Sequence, residues 1–384
     1  MKPKLRFPEF ADAWIEKSIG EIATISRGRF SPRPRNDPRY YGGKTEFIQT
    51  SEVVGANPII KNGIKTLNEE GIKVSKVFPS ETIVMTIAAN IGYVGFANRP
   101  VAFPDSLVGI SAFNDTLPKY LFYILSRKQR RLDYIAEEAA QKNITTPTVR
   151  NFKIWLSTNQ EEQVAISNLI DLINLKINLL NKKKQALEVY KKGLMQKIFT
   201  QELRFKREDG TDYPEWYTNK LGEISSIIKG QQLNRDSMVE HGTIPVLNGG
   251  ISWSGYTSTS NTPSDSITIS EGGNSCGYVS FVHQPFWSGG HNYSLRLNPE
   301  YHVRYLYHYL KYSEPSIMKL RVGSGLPNIQ KKDISKFNCL LPSLEEQMHI
   351  ANFLDAVDGQ ISIHKELVLR TEGLKKGLLQ QMFV

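Results

Sequence analysis

Two segments of the chain repeat one another, and this duplication constrains the fold more than any other feature. Residues 161–199 align without a gap to residues 345–383, and about a third of the aligned positions are identical. Apolar residues recur in both segments in alternating steps of four and three, which predicts amphipathic helices of about 40 residues and about 60 Å. Asn159 and Ser343 each stand three residues before a glutamate, a spacing that predicts a capping box at each helix start.

A long amphipathic helix needs a partner to cover its apolar side. The other copy is the nearest candidate, so we expect the two helices to form an intramolecular coiled coil. Because a large segment separates the copies, we expect the helices to be antiparallel. The alternative is that each helix packs only on its own globular domain.

The segments before the helices repeat more faintly: residues 18–28 resemble 220–230, and residues 91–100 resemble 276–285. Runs such as TIVMTIA and SITIS, bounded by Gly, Asn and Pro, predict strands, and residues 204–217 predict a linker. We therefore expect a mixed α+β fold with an internal pseudo-twofold repeat. The predicted order is a globular domain at 1–157, a helical region at 158–203, a globular domain at 204–341 and a helical region at 342–384.

The composition favours a polyanionic partner. The 384 residues carry a net charge of +10 with a pI near 9.3, which indicates nucleic acid first and a membrane surface second. No apolar run has the length of a membrane span or the form of a signal peptide. Two cysteines are too few for a disulfide framework. We therefore expect a cytoplasmic protein that does not bind a membrane.

The residue patterns of nucleic-acid enzymes are incomplete in this sequence. GGKT at 42–45 resembles the end of a phosphate-binding loop, but Pro38 stands where that loop has glycine. NDPRY at 36–40 resembles the Asn/Asp-Pro-Pro-aromatic motif of adenine methyltransferases, but Arg39 replaces the second proline. No Asp or Glu is followed two positions later by Lys, and the histidines and cysteines lack a zinc-ligand spacing. We predict no catalytic residue, metal site or cofactor in this chain.

The paired helices that begin with Glu-Glu-Gln and end near Lys-Lys-Gly-Leu-x-Gln, together with residues 321–347, resemble the specificity subunit of type I restriction–modification enzymes. The resemblance implies two target-recognition domains, each reading one half of a split, asymmetric sequence in double-stranded DNA. It also implies two modification subunits that use S-adenosylmethionine and two restriction subunits that use ATP and Mg²⁺. Because dimeric DNA readers match half-site spacing to their symmetry, we expect half-sites centred roughly 10 bp apart.

Loops at matching places in the two domains supply candidate DNA contacts. The loop at 27–44 is rich in arginine, which binds phosphates or guanine, and the loop at 229–237 is rich in amides, which suit adenine edges. Asn90 and Asn274 each come shortly before a shared Gly-Tyr-Val; alternatively, they are turn asparagines with left-handed backbone. The candidate DNA-binding residues are Arg27, Arg29, Arg33, Arg35, Arg39, Tyr40, Lys44, Asn90, Gln231, Gln232, Asn234, Arg235, Asn274 and His291.

A second set of candidates forms the coil and docks the modification subunits. In the first helix they are Glu161, Glu162, Gln163, Ile166, Ile170, Ile173 and Ile177. In the second helix they are Glu345, Glu346, Gln347, Ile350, Leu354, Val357 and Ile361. Two near-identical platforms would let two identical subunits bind one asymmetric chain.

Two other functions stay open at this point. A stand-alone DNA methyltransferase or nuclease would require a cofactor or metal site. A coiled-coil scaffold without DNA readout would bind DNA weakly and independently of salt, whereas a protein that contacts phosphates loses affinity steeply as salt rises.

Overall fold

The structure is a computed structural model that describes residues 2–32, 34–55, 59–60, 63–138, 143–323, 325 and 327–384. Its contacts divide the chain into two compact units. The first unit comprises Met1–Leu180 with Leu367–Val384, and the second comprises Asn181–Glu366. Each unit therefore contains part of both long helices, α7 (Gln160–Phe199) and α12 (Leu344–Met382).

The first unit mixes short strands with short helices. Its strands are β1 (Ile15–Ser18), β2 (Ala23–Arg27), β3 (Tyr41–Phe47), β4 (Lys65–Leu67), β5 (Val77–Phe78), β6 (Thr82–Thr86), β7 (Val94–Ala97), β8 (Val101–Ala102), β9 (Leu107–Ala112) and β10 (Lys153–Leu156). Its short helices are α1 (Ile19–Ile22), α2 (Thr50–Val54), α3 (Glu69–Lys73), α4 (Pro118–Ser126), α5 (Gln129–Glu138) and α6 (Thr146–Asn151).

The second unit repeats this plan. Its strands are β11 (Tyr217–Lys220), β12 (Ser225–Lys229), β13 (Ile244–Leu247), β14 (Gly255–Thr257), β15 (Ser266–Ser270), β16 (Val279–Val282), β17 (Trp287–Ser288), β18 (Asn292–Leu297) and β19 (Asn338–Leu341). Its short helices are α8 (Leu221–Ile224), α9 (Val303–Tyr312), α10 (Glu314–Met318) and α11 (Lys331–Ser335).

The two units share the topology of the main sheet, while the smaller sheet of the first unit has an additional strand, β5, paired with β8. The main antiparallel sheet has the order β2-β9-β6-β7 in the first unit and β12-β18-β15-β16 in the second. A smaller sheet places β3 between β4 and β8, and its counterpart places β13 between β14 and β17. The predicted strands TIVMTIA and SITIS are β6 and β15, and both are buried throughout because each is covered on both sides. The mixed α+β fold and its repeat are confirmed.

The predicted apolar period on the long helices is confirmed by burial. Ile166, Ile170, Ile173 and Ile177 are buried on α7, while the intervening positions, apart from the buried Ser167, are exposed or half-buried. In the first unit, Ile166 and Ile170 share a core with Met382, near the end of α12. Since early residues of α7 meet late residues of α12, the helices are antiparallel there.

The second unit shows the same antiparallel arrangement. Ile198, near the end of α7, shares a core with Ile350 and Leu354, near the start of α12. Farther from these helix ends, the Lys191 ammonium lies 2.7 Å from both carboxylate oxygens of Asp358. The expectation of an antiparallel coil is therefore confirmed within each unit, where each helix also packs on its own domain.

The helix starts are capped, but not by complete capping boxes. The Asn159 side chain accepts a hydrogen bond from the backbone N–H of Glu162, and Ser343 does the same for Glu346. A complete capping box would also have each glutamate side chain accept a hydrogen bond from the backbone N–H of Asn159 or Ser343. That part of the prediction is wrong, because the Glu162 and Glu346 carboxylates bind other parts of their own unit, as described below. Within the described residues, no helix is long and apolar enough to cross a membrane.

Candidate nucleic-acid interface

A close backbone crossing positions one candidate loop in each unit. Gly28, after β2, packs so tightly that a Cβ atom there would lie 2.4 Å from the backbone oxygen of Phe103. Gly230, after β12, is equally restricted, since a Cβ atom at that position would lie 2.1 Å from the backbone oxygen of Gly289. Both loops therefore leave the main sheet at the same point, where only glycine fits.

In the first unit, most of the predicted arginines are exposed and held by acceptors of the same surface. Arg35 pairs with Asp105 at 2.8 Å, and the Arg27 guanidinium donates to the backbone oxygen of Asp105. The Arg29 guanidinium donates to the backbone oxygen of Ser75 at 2.8 Å. Such bonds fix the direction of each side chain while leaving most of its donors free for an incoming acceptor.

The remaining residues of this loop are less uniform. Arg39 pairs with Asp37 at 2.7 Å, and this contact lowers the pKa of the Asp37 carboxyl. Tyr40 packs edge-on against the buried Phe30, so it supports the loop. Lys44 is exposed on β3. Arg33, the other candidate here, lies outside the described residues.

A cavity of about 410 Å³ lies beneath the arginine loop. Arg35 borders one side, and Gln49, Thr50 and Lys65 contribute further polar groups. These three residues were missed by the sequence analysis because they follow β3 or begin β4, away from the arginine-rich stretch. Their side chains add amide, hydroxyl and ammonium groups to the surface that the loop presents.

In the second unit, the amide-rich loop is pinned by its backbone while its side chains face outwards. The N–H of Gln231 donates to Ser288, and the Trp287 indole donates to the Gln231 backbone oxygen, both at 2.8 Å. The side chains of Gln231, Gln232 and Asn234 are exposed. The remaining candidate of this loop is Arg235, which begins the short 3-10 helix Arg235–Ser237 and whose side chain lies outside what the structure describes.

A buried carboxylate supports the second surface. Glu271 is 5% exposed, and it accepts hydrogen bonds from Lys229 at 2.6 Å and from the Tyr293 hydroxyl at 2.9 Å. Although burial acts in the opposite direction, these bonds lower the pKa of Glu271. His291 Nδ1 lies 3.8 Å from the second carboxylate oxygen of Glu271, and the backbone N–H of His291 donates to the Asn248 side-chain oxygen. Glu271 therefore holds Lys229 at the surface and lies close to His291.

Asn90 and Asn274 are exposed at matching turns in the two units. The alternative that they adopt left-handed backbone is wrong, because the residues before them do so instead: φ is 63° at Ala89 and 73° at Gly273. The preceding residue takes the left-handed conformation in each turn, so neither asparagine has a positive φ. Both asparagines thus remain candidates for a contact.

The repeated glutamates at the helix starts form one matching cluster in each unit, which we call the helix-start anchor. In the first unit, Glu162 is fully buried and accepts hydrogen bonds from Arg6 at 2.6 and 2.8 Å and from the Trp14 indole at 3.2 Å. This bonding raises the pKa of Arg6. The anchor ties the N-terminal segment, the first domain and α7 together.

The anchor of the second unit has the same composition. Glu346 is fully buried and accepts from Arg204 at 3.1 Å and from the Trp216 indole at 2.9 Å. Phe205 stacks on His349 of α12 with ring centroids 4.5 Å apart. The predicted linker 204–217 is therefore packed along the start of α12.

The next residue of each repeat, a glutamine, also faces its own domain. Gln163 accepts a hydrogen bond from the N–H of Leu117 and donates to Ser157, and the buried Gln347 accepts one from the N–H of His302. Glu161 and Glu345 are exposed, and Glu345 pairs with Arg207 at 3.1 Å. The predicted coil residues, Ile166, Ile170, Ile173, Ile177, Ile350, Leu354, Val357 and Ile361, are buried or half-buried.

A polar cluster fixes α9 to α12 in the second unit. Asp355 accepts hydrogen bonds from Arg304 at 3.0 Å and from His308 Nε2 at 2.8 Å. Although partial burial acts in the opposite direction, these bonds hold the pKa of Asp355 far below its usual range. His308, Asp355 and Asp358 lie close enough to share a metal ion, but Arg304 and Lys191 already neutralise the carboxylates.

We expect acid to weaken this cluster. Because the pKa of Asp355 is lower in the folded chain than in the unfolded chain, its stabilisation is complete above about pH 4 and is lost as the pH falls further. Asp355→Asn should lower the melting temperature of the second unit by roughly 4–8 °C at pH 7, for a loss of about 2 kcal/mol. It should also flatten the decline of that temperature between about pH 4 and 2.

Thermal unfolding followed by hydrogen exchange would resolve the two units. Asp171 occupies the matching position in the first unit, where it pairs with Lys119 at 2.7 Å, so Asp171→Asn is the matched control. It should leave the acid response of the second unit unchanged. Parallel acid curves for wild type and Asp355→Asn would contradict the assignment.

Comparison with known proteins agrees with the duplicated architecture. The family model described as the type I restriction–modification DNA specificity domain matches the chain twice, over residues 11–189 and 213–370. The chain belongs to this specificity family. Because the two matches cover most of both units, the family assignment applies to the whole repeat and not to one half of it.

Relatives and solved structures span nearly the whole chain. A putative type I specificity subunit of Mycoplasma genitalium is 22% identical over 390 residues, covering 100% of this chain and 97% of the relative. The putative type I restriction enzyme MjaX specificity subunit of Methanocaldococcus jannaschii is 30% identical, covering 98% and 94%. The crystal structure of the S subunit of a type I system from M. genitalium has a TM-score of 0.68 at 20% identity, covering 100% and 99%.

Proposed function

We propose that this member of the specificity family reads a bipartite, asymmetric DNA target in the cytoplasm, with one half-site for each unit. The observation that carries the proposal is the pair of exposed polar loops at matching positions of a duplicated fold. The two loops have different chemistry, arginines in the first unit and amides in the second. Different side chains on one repeated framework are what two different half-sites require.

We further propose that the chain contributes recognition and no catalysis. In this proposal the modification subunits bring S-adenosylmethionine, and the restriction subunits bring ATP and Mg²⁺. Both relatives are named as type I specificity subunits, and the one from M. jannaschii as that of a restriction enzyme, which supports this division of labour.

Exposed apolar residues on the long helices support docking of two identical modification subunits. Several of them fall on the same position of both repeats and are exposed to a similar degree. The matched pairs are Val164 (43% exposed) with Met348 (47%), Leu179 (56%) with Ile363 (50%), and Tyr190 (55%) with Leu374 (55%). Exposed apolar groups of this kind mark interaction surfaces, and they are better placed for docking than the buried glutamates and seam isoleucines.

Mapping methylated adenines in cells that express this chain with a candidate modification subunit tests the proposal. We expect a split motif of two short specific blocks separated by a fixed spacer, with the blocks centred roughly 10 bp apart. A continuous motif would mean that only one unit reads DNA. If methylation does not depend on the chain, although the complex with the modification subunit forms, the chain is a scaffold and the proposal fails.

A further inference from the structure

An exposed apolar loop lies in the second unit, between the strands β13 and β14. The loop comprises residues 248–254 and is closed by a 2.8 Å hydrogen bond from the N–H of Ser254 to the backbone oxygen of Val246. Its two large side chains, Ile251 and Trp253, are 72% and 44% exposed. Neither belongs to a hydrophobic core among the residues that the structure describes. We call these two side chains the apolar tip.

The base of this loop is fixed beside two of the candidate DNA contacts. Gly249 has a φ of 78°, and a Cβ atom there would lie 2.3 Å from the backbone oxygen of His291, so only glycine fits. The hydroxyl of Ser275, the residue after Asn274, donates to the Gly249 backbone oxygen at 2.5 Å. The loop therefore starts where the His291 and Asn274 segments meet.

The amide-rich loop reaches the same place. A Cβ atom at Gly290 would lie 3.0 Å from the side-chain oxygen of Gln232, so this amide lies next to the His291 segment. Ile251 follows Gly249 by two residues, so their Cα atoms are at most about 7 Å apart. That distance is about two base-pair steps of DNA. The apolar tip and the Gln232 amide therefore belong to one surface that a single half-site can cover.

The first unit has polar residues at the matching place. Like β13, β3 is a central strand of its smaller sheet. After β3 the chain enters α2 through Gln49 and Thr50, which line the cavity beneath the arginine loop. The repeated framework therefore does not require an apolar tip here. The tip differs between the units in the same way as the predicted DNA contacts do, as expected for residues that read different bases.

The chemistry of the tip restricts what it can read. The isoleucine side chain has no hydrogen-bond donor or acceptor, so it cannot bond to the polar groups on the base edges. The apolar group that the major groove offers is the C5-methyl of thymine. Amide side chains suit adenine in the same groove. Amides beside an apolar tip are thus complementary to base pairs of adenine with thymine.

We propose that Ile251, the more exposed residue of the apolar tip, contacts the C5-methyl group of a thymine in the second half-site. This inference rests on the proposed function, since it assumes that DNA lies on the amide-rich loop. The contact removes the methyl group from water, which favours thymine over cytosine at that position. Ile251 is then a specificity-determining residue of the second unit.

Replacing thymine by uracil tests this inference, because uracil lacks only the methyl group. The duplex carries the mapped motif, and each thymine of the block that depends on the second unit is replaced in turn. We expect one uracil to weaken binding by the full chain, in complex with the modification subunit, by about fourfold, which is the value of one buried methyl group. Ile251→Ser should weaken binding to the thymine duplex by a similar factor and show no further loss with uracil.

Two further measurements make the test specific. Motif mapping in cells that express Ile251→Ser should show a relaxed preference at that thymine, with the other block unchanged. Ile64→Ser is the matched control, since Ile64 is an isoleucine of the first unit that is 87% exposed. It should leave the fourfold effect of uracil in the second block as it is in the wild type.

The outcomes separate this inference from the proposed function. If no split motif depends on the chain, the proposed function fails and this inference fails with it. If the motif is split but no uracil weakens binding, or Ile251→Ser keeps the full uracil effect, this inference alone is overturned. It is also overturned if Ile251→Ser weakens binding to all duplexes equally, as for a wedge between base pairs, or releases the modification subunit, as for a protein contact.

Discussion

Replacing Glu162 by alanine should lower the unfolding free energy of the first unit by about 3–5 kcal/mol. The substitution removes the fully buried acceptor of the helix-start anchor and leaves the Arg6 guanidinium, 11% exposed, without its carboxylate. Leaving one buried charge without its partner costs far more free energy than the intact ion pair contributes to stability. Hydrogen exchange under urea would report the loss for the first unit separately from the second.

Two further variants make this prediction specific. Glu161→Ala changes the neighbouring exposed glutamate and should cost less than about 1 kcal/mol, through the helix dipole alone. Removing both charges, with Arg6→Met and Glu162→Met together, should recover much of the lost stability, since a buried ion pair can be replaced by apolar groups. Equal effects of Glu161→Ala and Glu162→Ala would show that the anchor does not hold the domain to its helix.

Alanine at Gln231, Gln232 and Asn234 together should abolish or change one half of the methylation motif and leave the other half intact. Each bidentate base contact contributes about 1–3 kcal/mol of discrimination, so losing even one should relax specificity by roughly tenfold. The exposed side chains can be removed without loss of the fold, because Ser288 and Trp287 hold the loop by its backbone. Motif mapping, together with co-purification of the modification subunit, measures both effects.

The first unit provides the reciprocal variant. Arg35→Ala combined with Asn90→Ala should alter the other half of the motif. If the triple alanine variant of Gln231, Gln232 and Asn234 no longer binds the modification subunit, the amide-rich loop is a docking site for that subunit and not a DNA contact. Changes in both halves from either variant would contradict one half-site for each unit.

The long helices were predictable from the sequence because their signal is local. Apolar residues at every third or fourth position identify the buried side of a helix whatever it packs against, and the gapless repeat predicts the same helix in both copies. The strands β6 and β15 followed from short β-branched runs for the same reason. The antiparallel direction followed from the large domain that separates the copies.

The anchors were not predicted, because Arg6 and Glu162 are 156 residues apart and meet only in the folded unit. A signal was nevertheless present. Leu-Arg-Phe occurs at 5–7 and again at 203–205, and each copy is followed by a tryptophan, Trp14 or Trp216. The capping-box spacing was misleading since a buried arginine competes for the same carboxylate.

The sequence predicted that the candidate DNA contacts lie in loops, but it did not predict which other residues orient their side chains. Gln231 and Asn90 are exposed, in agreement with their position in turn-rich stretches. Asp105 and Glu271 orient neighbouring cations, Arg35 and Lys229, that lie far from them in the sequence. A single acidic residue has no periodic pattern that would identify such a contact in advance. Their DNA-binding role remains a prediction for every residue of the two loops.

The short strand pairs β1–β10 and β11–β19 have a consequence for how such proteins diversify. Ile15 pairs with Leu156, and Tyr217 pairs with Leu341, so each domain leaves and rejoins the chain at adjacent points beside a helix start. A recombination event that exchanges everything between two such points replaces a whole half as a cassette. The helices, their partners and the other half are inherited unchanged. On the proposed function, one crossover in each strand of the pair is enough to create a new DNA specificity.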